Sequence, residues 1–125
     1  MKPFSLNVFK DDSANPGTAV FEQTDPVPLG STFVVEHISG YVVVKENESV
    51  DGIWAYTPDG RQNVYLPVHF ASRVRSYGTA LPAAVAWQFG SPARMYANPG
   101  ESLVIRGEAV VTGSILACFI GYLEP

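Results

Sequence analysis

Residues 101–125, with the sequence ESLVIRGEAVVTGSILACFIGYLEP, indicate the fold class of this chain. In the first half of this stretch, small or apolar residues occupy every second position, which is the period of a half-buried β-strand. The alternating positions are Leu103, Ile105, Gly107 and Ala109. Arg106 and Glu108 lie on the opposite face. After the turn Thr112-Gly113, the last strand is apolar on both faces. We therefore predict that this strand is central in a sheet or lies in a subunit interface.

The rest of the chain repeats this pattern of short strands between turns. The 11 glycines and 10 prolines mark breaks such as Asn15-Pro16-Gly17, Pro58-Asp59-Gly60 and Asn98-Pro99-Gly100. Between the breaks lie segments rich in β-branched and aromatic residues, and no window shows a convincing helical period. We predict strands near residues 4–9, 18–24, 31–46, 53–57, 63–70, 84–89, 92–97, 102–111 and 114–123.

These strands predict the fold class. Short antiparallel strands in this number, roughly eight or nine, are typical of a two-sheet antiparallel sandwich. We expect an all-β fold of this kind, jelly-roll-like in its strand order. A chain of 125 residues fits one domain, and neither an internal repeat nor a linker indicates a second. Residues 1–125 are therefore predicted to form a single β-sandwich domain.

Charge and hydropathy exclude several partners. The chain carries 8 Lys and Arg against 12 Asp and Glu, a net charge of −4, whereas nucleic-acid binding requires a basic face. No apolar run of about 18 residues predicts a membrane span. The N-terminus does not resemble a signal peptide, so either the protein is cytosolic or a leader was removed and the chain is secreted or periplasmic.

The residues that most often carry chemistry are few. Cys118 is the only cysteine, which excludes an internal disulfide, and its apolar neighbours predict a packed thiol. His37 and His69 lack the spacing of metal ligands. No nucleophile elbow or phosphate-binding loop is present. We predict no catalytic residue, no metal and no cofactor.

Glu36 is the one carboxylate that the strand pattern places toward the core. It shares a predicted face with apolar side chains, namely Val34, Ile38 and Val42. A buried carboxylate requires hydrogen bonds or a cation. Arg94 and Arg106 are the candidate partners, and we favour a structural ion pair over a general acid.

Aromatic and arginine residues are interleaved in the middle of the chain. Residues 61–100 contain no Asp or Glu but four arginines, and both residue types favour binding interfaces. The candidate ligand-binding residues are Trp54, Tyr56, Arg73, Arg75, Tyr77 and Trp87. Alternatively, the aromatic residues belong to the core and the arginines pair with acids elsewhere in the fold.

Four short stretches resemble a group of small exported bacterial β-sandwich proteins. They are residues 28–40 (PLGSTFVVEHISG), Tyr65-Leu66-Pro67, residues 94–100 (RMYANPG) and residues 119–123 (FIGYL), and they occur in the same order over most of the chain. This resemblance implies export and supplies no catalytic residues. The terminal Gly-Tyr-Leu is also similar to the last strand of jelly rolls of the C1q and tumour-necrosis-factor type, which trimerise.

Three functional readings follow. The leading one is a non-catalytic binding or assembly module outside the cytoplasm, with a glycan or a protein as its partner. The second is a lectin-like carbohydrate-binding β-sandwich that stacks sugars on Trp54, Tyr56 or Trp87. The third is a small hydrolase or isomerase, which requires Glu36, His37 or His69 to converge in one cleft.

We also expect the chain to form a homo-oligomer. In the last strand, Leu116, Cys118 and Ile120 lie on the face opposite to Ile115 and Phe119, and a sandwich core accepts only one face of a strand. The acid-rich first half and the acid-free middle favour a trimer over a dimer. Alternatively, the N-terminal segment covers the second face within one chain.

Overall fold

The strand that is apolar on both faces lies inside a sheet. In the computed structural model, which describes residues 1–11, 21–45, 48–74, 84–108 and 113–125, this strand lies between the first and third strands of the chain. The described ranges contain nine β-strands and no helix. The strands are β1 (Lys2–Asp11), β2 (Phe21–Gln23), β3 (Thr32–Lys45), β4 (Gly52–Tyr56), β5 (Asn63–Leu66), β6 (His69–Val74), β7 (Ala84–Ala97), β8 (Val104–Glu108) and β9 (Gly113–Glu124).

The strands form two antiparallel sheets. The five-stranded sheet has the order β1-β9-β3-β7-β6, and the four-stranded sheet has the order β2-β8-β4-β5. Every pair of neighbouring strands is antiparallel. The predicted all-β fold with two antiparallel sheets is therefore confirmed, and so is the central position of the last strand.

The inner faces of the two sheets share one cluster of buried side chains. The largest fully buried members include Phe33, Ile38, Phe119, Ile53, Leu66 and Ile105, which come from both sheets. Burial of each such side chain contributes about 1.5–3 kcal/mol to folding. Leu103 and Ile105 of the predicted apolar face are fully buried, and Arg106 on the opposite face is exposed.

Two predicted strand boundaries are wrong. Residues 63–70 form two strands in different sheets, β5 and β6, and Pro67 lies between them. Conversely, residues 84–97 form one strand although Gly90-Ser91-Pro92 predicts a break. The proline is tolerated because β6 pairs with β7 only as far as Gln88, so Pro92 lies beyond the paired part of that edge.

The turn between β4 and β5 is bound to the end of β7 in the other sheet. The Gln62 side chain donates to the Tyr96 carbonyl over 3.1 Å and accepts from the Tyr96 N–H over 2.7 Å. Arg61 donates to the same carbonyl and pairs with Glu101 at 2.8 Å. These contacts join the two sheets at one end of the fold.

A β-bulge in β3 places Glu36 outside the core. Val35 lies opposite Gly121 of β9, and His37 already lies opposite the adjacent Ile120. Glu36 is therefore an extra residue without a partner in β9, and its side chain is exposed. An extra residue moves all following side chains to the other face of the sheet. The prediction that Glu36 lies on the core side is therefore wrong.

Candidate functional site

One face of the four-stranded sheet is directed away from the core. In β4, Ile53 and Ala55 are fully buried between the sheets. Because successive side chains of a strand point to opposite faces, Trp54 and Tyr56 lie on the outer face, where both are half-buried. The predicted pairing of these two aromatic residues on one surface holds in the fold.

The strand register brings three further side chains to this surface. Trp54 lies opposite Tyr65 of β5 on one side and opposite Arg106 of β8 on the other. In the next row, Tyr56 lies opposite Asn63. Residues that pair across neighbouring strands have side chains on the same face. We call Trp54, Tyr56, Asn63, Tyr65 and Arg106 the aromatic platform.

Trp54 and Tyr65 form an edge-to-face aromatic pair. Their ring centroids are 5.0 Å apart, at an angle of 62° between the ring planes. The Tyr65 hydroxyl donates a hydrogen bond of 2.7 Å to the Asp51 carbonyl, which orients the ring. Such a ring pair contributes about 0.5–1.5 kcal/mol beyond its buried area. Tyr65 is nevertheless 46% exposed, so the platform presents aromatic surface to the solvent.

Gly52 leaves the space that the Tyr65 ring occupies. A Cβ atom built on Gly52 would overlap the ring carbons and the hydroxyl of Tyr65. The absence of a side chain at this position therefore lets the ring lie directly against the β4 backbone.

A depression of about 390 Å³ opens on the platform. Its lining consists of Trp54, Tyr56, Asn63 and Arg106. Ligand sites in proteins combine apolar and aromatic surface with a few polar groups in this way. Arg106 is exposed, and within the described part of the chain it has no hydrogen-bond or ion-pair partner.

The other predicted ligand-binding residues lie elsewhere. Trp87 belongs to β7 and packs against the core, and its Nε1 atom is buried without a hydrogen-bond partner among the described residues. Arg73 lies in β6, at the edge of the five-stranded sheet. Arg75 and Tyr77 lie outside the described residues. Of the candidates within the described ranges, Trp54 and Tyr56 are the pair that shares a surface.

Sequence reasoning did not assign Asn63 and Tyr65 to a site, and it assigned Arg106 to an ion pair. The alternation of Asn63-Val64-Tyr65-Leu66 contains the local signal, because Val64 and Leu66 face the core. What the sequence lacks is the pairing of β5 and β8 with β4.

Glu36 and Arg94 come close to each other on the outer face of the five-stranded sheet. Together with Pro92 and Ala93 they line a depression of about 360 Å³. The pKa of Arg94 is raised above its usual value, chiefly by a side-chain hydrogen bond to Tyr122 and to a smaller extent by the charge of Glu36.

The predicted set of Glu36, Arg94 and Arg106 does not assemble as one cluster. Arg106 lies in the other sheet, opposite Trp54. Among the ion pairs within 4 Å that the described residues form, none joins Glu36 to either arginine.

The two histidines do not converge. The β3–β7 and β7–β6 registers place His69 two strands and four residues from His37, which corresponds to roughly 15 Å. Across the described ranges, no group of three or more His, Cys, Asp or Glu side chains could hold a metal ion. Nor do these ranges contain a helix with the length and apolar character that a membrane crossing requires.

Cys118 lies on the outer face of β9, opposite Ser39 and Asn7. Its side chain is half-buried, and this burial raises the pKa of the thiol. A raised pKa lowers the thiolate fraction at neutral pH, which opposes a role as nucleophile.

No family model, curated protein or solved structure matches the chain. The resemblance to small exported bacterial proteins stays a prediction, and the functional argument therefore depends on the surfaces described above.

Proposed function

We propose that the chain is a non-catalytic binding module and that the aromatic platform is its binding surface. The observation that carries this proposal is the aromatic pair of Trp54 and Tyr65 beside a depression of about 390 Å³, on the sheet face that the core does not use. Aromatic residues that remain half-exposed next to polar groups are typical of recognition surfaces.

The ligand class that this surface fits best is carbohydrate. A sugar ring presents a face of C–H groups, which packs against an aromatic ring, and a rim of hydroxyls. The indole of Trp54 supplies the apolar surface. The amide of Asn63 and the hydroxyl of Tyr56 each donate and accept hydrogen bonds, as sugar hydroxyls require.

A glycan array tests this function directly. The wild-type protein is compared with Tyr65→Ala, which removes half of the aromatic pair. Tyr96→Ala is the matched control, because Tyr96 is 42% exposed against 46% for Tyr65 and lies in the other sheet. We expect glycan binding that Tyr65→Ala abolishes and Tyr96→Ala retains. An array without hits, or equal loss in both variants, contradicts the proposal.

The separation of the acid–base candidates supports a non-catalytic role. General acid–base catalysis requires groups within hydrogen-bond reach of one substrate, and His37 and His69 are roughly 15 Å apart. Glu36 and His37 are neighbours, and they define the surviving enzymatic alternative. Turnover on a panel of ester, glycoside and amide substrates that is lost in Glu36→Gln or His37→Ala would overturn the non-catalytic role.

We place this module outside the cytoplasm. The proposal is supported by the resemblance to exported proteins and by the carbohydrate class of the proposed ligand. Fractionation of the cells that produce the full-length protein tests it, and recovery of the protein in the cytosolic fraction alone contradicts it.

A second candidate function is assembly, through the outer face of the five-stranded sheet. On one face of β9, the side chains of Ile115, Ala117 and Phe119 pack into the core and are fully buried. On the other face of β9, Ile120 is 45% exposed, and its neighbour strand β1 presents Phe9 at 51% exposure. Exposed apolar surface of this kind is a common feature of protein interfaces.

The centre of this face also lacks charge. Three rows cross β1, β9 and β3 there, and none contains an acid, a lysine or an arginine. They are Phe9-Leu116-Tyr41, Asn7-Cys118-Ser39 and Ser5-Ile120-His37. We call these nine residues the uncharged outer face. Because two copies of it would not repel each other, we propose that the chain forms a homo-oligomer through this face.

We also propose that the fold is jelly-roll-like, and the strand orders of the two sheets support this. Sheets of the orders β1-β9-β3-β7 and β2-β8-β4-β5 arise when a chain folds as two Greek keys, and β6 extends the first of them. The trimer stays the assembly expected from the charge pattern of the sequence, whereas contact of the uncharged outer face with a second copy of itself would give a dimer. Light scattering distinguishes the two against the monomer mass of 13.5 kDa, and a monomer at micromolar concentration contradicts assembly.

A further inference from the structure

We propose that the ligand of the aromatic platform is an acidic carbohydrate whose carboxylate, as in a uronic acid, is bound by Arg106. This inference rests on the proposed carbohydrate-binding function and deepens it. It depends on one guanidinium group, namely on its position, its exposure and the fact that no described residue pairs with it.

The register places Arg106 beside the tryptophan of the platform. In β8 it lies opposite Trp54 of β4, and on its other side it lies opposite Phe21 of β2. Its chain neighbour Ile105 is fully buried, so the side chain of Arg106 is directed to the outer face, where it is exposed. A cation thus stands at the edge of the surface on which a sugar ring would stack.

Arg106 is the only charged member of the platform, and none of the ion pairs among the described residues neutralises it. No described residue forms an ion pair or a hydrogen bond with its guanidinium. Glu108 follows two residues later in β8, opposite Gly52, whereas the depression extends from Trp54 toward the row of Tyr56 and Asn63. The depression therefore lies on the side of Arg106 that is directed away from Glu108.

Asp59 follows β4 beyond Tyr56, and its carboxylate is already bound. It accepts hydrogen bonds from the Thr57 hydroxyl over 2.8 Å and from the Arg61 N–H over 3.0 Å. As far as the described residues go, the guanidinium of Arg106 is therefore open to an anion from outside the chain.

A uronic acid matches both halves of this surface. Its ring has the apolar face that packs on Trp54, and its carboxylate has the planar geometry that accepts two parallel hydrogen bonds from a guanidinium. A neutral sugar would offer Arg106 hydroxyl groups as acceptors but no opposite charge. Inorganic anions and simple polyanions could bind the charge of Arg106 but would not stack on the aromatic rings. A polyanion such as polyglutamate is therefore the second control.

Isothermal titration calorimetry with matched ligands tests this inference. The probes are oligogalacturonates and alginate oligosaccharides, each compared with its carboxyl-reduced counterpart, in which the carboxylate is replaced by a primary alcohol. We expect roughly 10- to 100-fold weaker binding of the reduced form, because charge-assisted hydrogen bonds contribute this much. The binding of the uronate should also weaken with added salt, since Arg106 is exposed.

Substitutions of Arg106 distinguish the effect of its charge on uronate binding from the effect of its planar shape. Arg106→Gln should reduce uronate affinity roughly 10- to 100-fold and leave the reduced oligosaccharides unaffected. Arg106→Lys keeps the charge but not the planar guanidinium group. Its affinity for uronates should therefore lie between that of the wild-type protein and that of Arg106→Gln. Arg94→Gln is the control, because it removes an exposed arginine from the other sheet, and it should bind uronates like the wild-type protein.

The outcomes distinguish this inference from the proposed function. If reduced oligosaccharides bind as tightly as uronates and Tyr65→Ala abolishes both, carbohydrate binding stands and the acidic ligand is overturned. If no oligosaccharide of either kind binds, the acidic ligand is overturned, and the glycan array decides separately whether carbohydrate binding stands. If polyglutamate binds as tightly as the uronates and Tyr65→Ala does not weaken it, the site is a general anion contact, which overturns the inference.

Discussion

The ring of Tyr65 lies over Gly52, in the space that any other residue at position 52 would fill with its Cβ atom. This arrangement lets Tyr65 reach both Trp54 and the Asp51 carbonyl. The position of the aromatic pair thus depends on one glycine, and this dependence can be tested by substitutions outside the apolar core.

The substitution Gly52→Ala should displace the Tyr65 ring. We expect a loss of about 1–2 kcal/mol of unfolding free energy, because one ring pair and one hydrogen bond are weakened. Urea unfolding followed by tryptophan fluorescence measures it. Gly90→Ala is the control, since a Cβ there meets its nearest atom at an ordinary 3.7 Å and should be nearly neutral. Equal effects of the two substitutions would contradict the arrangement.

The substitution Gln62→Ala should loosen the joint between the sheets. It removes two hydrogen bonds to the Tyr96 backbone, of 3.1 and 2.7 Å, and should cost about 1–2 kcal/mol. Faster amide hydrogen exchange at Tyr96 is the local readout. Gln88→Ala, at an exposed position earlier in the same strand, should leave both quantities unchanged. An unchanged exchange rate at Tyr96 in Gln62→Ala would show that this joint does not protect the strand.

Two isoleucines of β9 should respond differently to the same substitution. Ile120→Asp, on the uncharged outer face, should give a folded monomer, because the charge opposes burial between subunits. Ile115→Asp, in a fully buried position, should unfold the protein, since a buried unpaired charge costs several kcal/mol. Light scattering and circular dichroism measure the two effects. An Ile120→Asp oligomer of unchanged mass would exclude this face as the interface.

The carboxyl group of Asp59 should give the stability a pH-dependent component. Hydrogen bonds from the Arg61 N–H and then from the Thr57 hydroxyl lower its pKa below the usual value. A lowered pKa in the folded state stabilises the protein above the unfolded-state pKa of about 4, and this contribution disappears as the pH falls through the folded-state pKa.

Thermal unfolding of wild-type protein and Asp59→Asn between pH 2 and 7 measures this component. The wild-type protein should be the more stable of the two near neutral pH, and the difference should diminish in acid. A difference that is independent of pH would mean that the carboxylate form is not the one that the two donors stabilise.

The sequence by itself determined the features that depend on local periodicity. The alternation around Ile105 predicted the core face of β8, and in β9 it separated two apolar faces without deciding which of them packs into the core. The turn at Asp59-Gly60 occurs with a glycine φ of +74°. The sequence also predicted that Trp54 and Tyr56 share one face of their strand, but it left open whether that face is exposed or belongs to the core. Each of these features follows from the two-residue repeat of a strand or from the freedom of glycine, which depend on adjacent residues alone.

Only the tertiary structure decided the features that depend on strand pairing. The bulge at Glu36 is defined relative to β9, and the convergence of Tyr65 and Arg106 on Trp54 is defined by the registers of β5 and β8 with β4. β9 is far from β3 in the chain, and β8 is far from β4, so these pairings depend on how the whole core packs. β5 follows β4 after residues 57–62, and the register of this pair is set where the turn is fixed to the other sheet. A one-residue change in register reverses the face of every side chain that follows, and the platform therefore exists only once both sheets have formed.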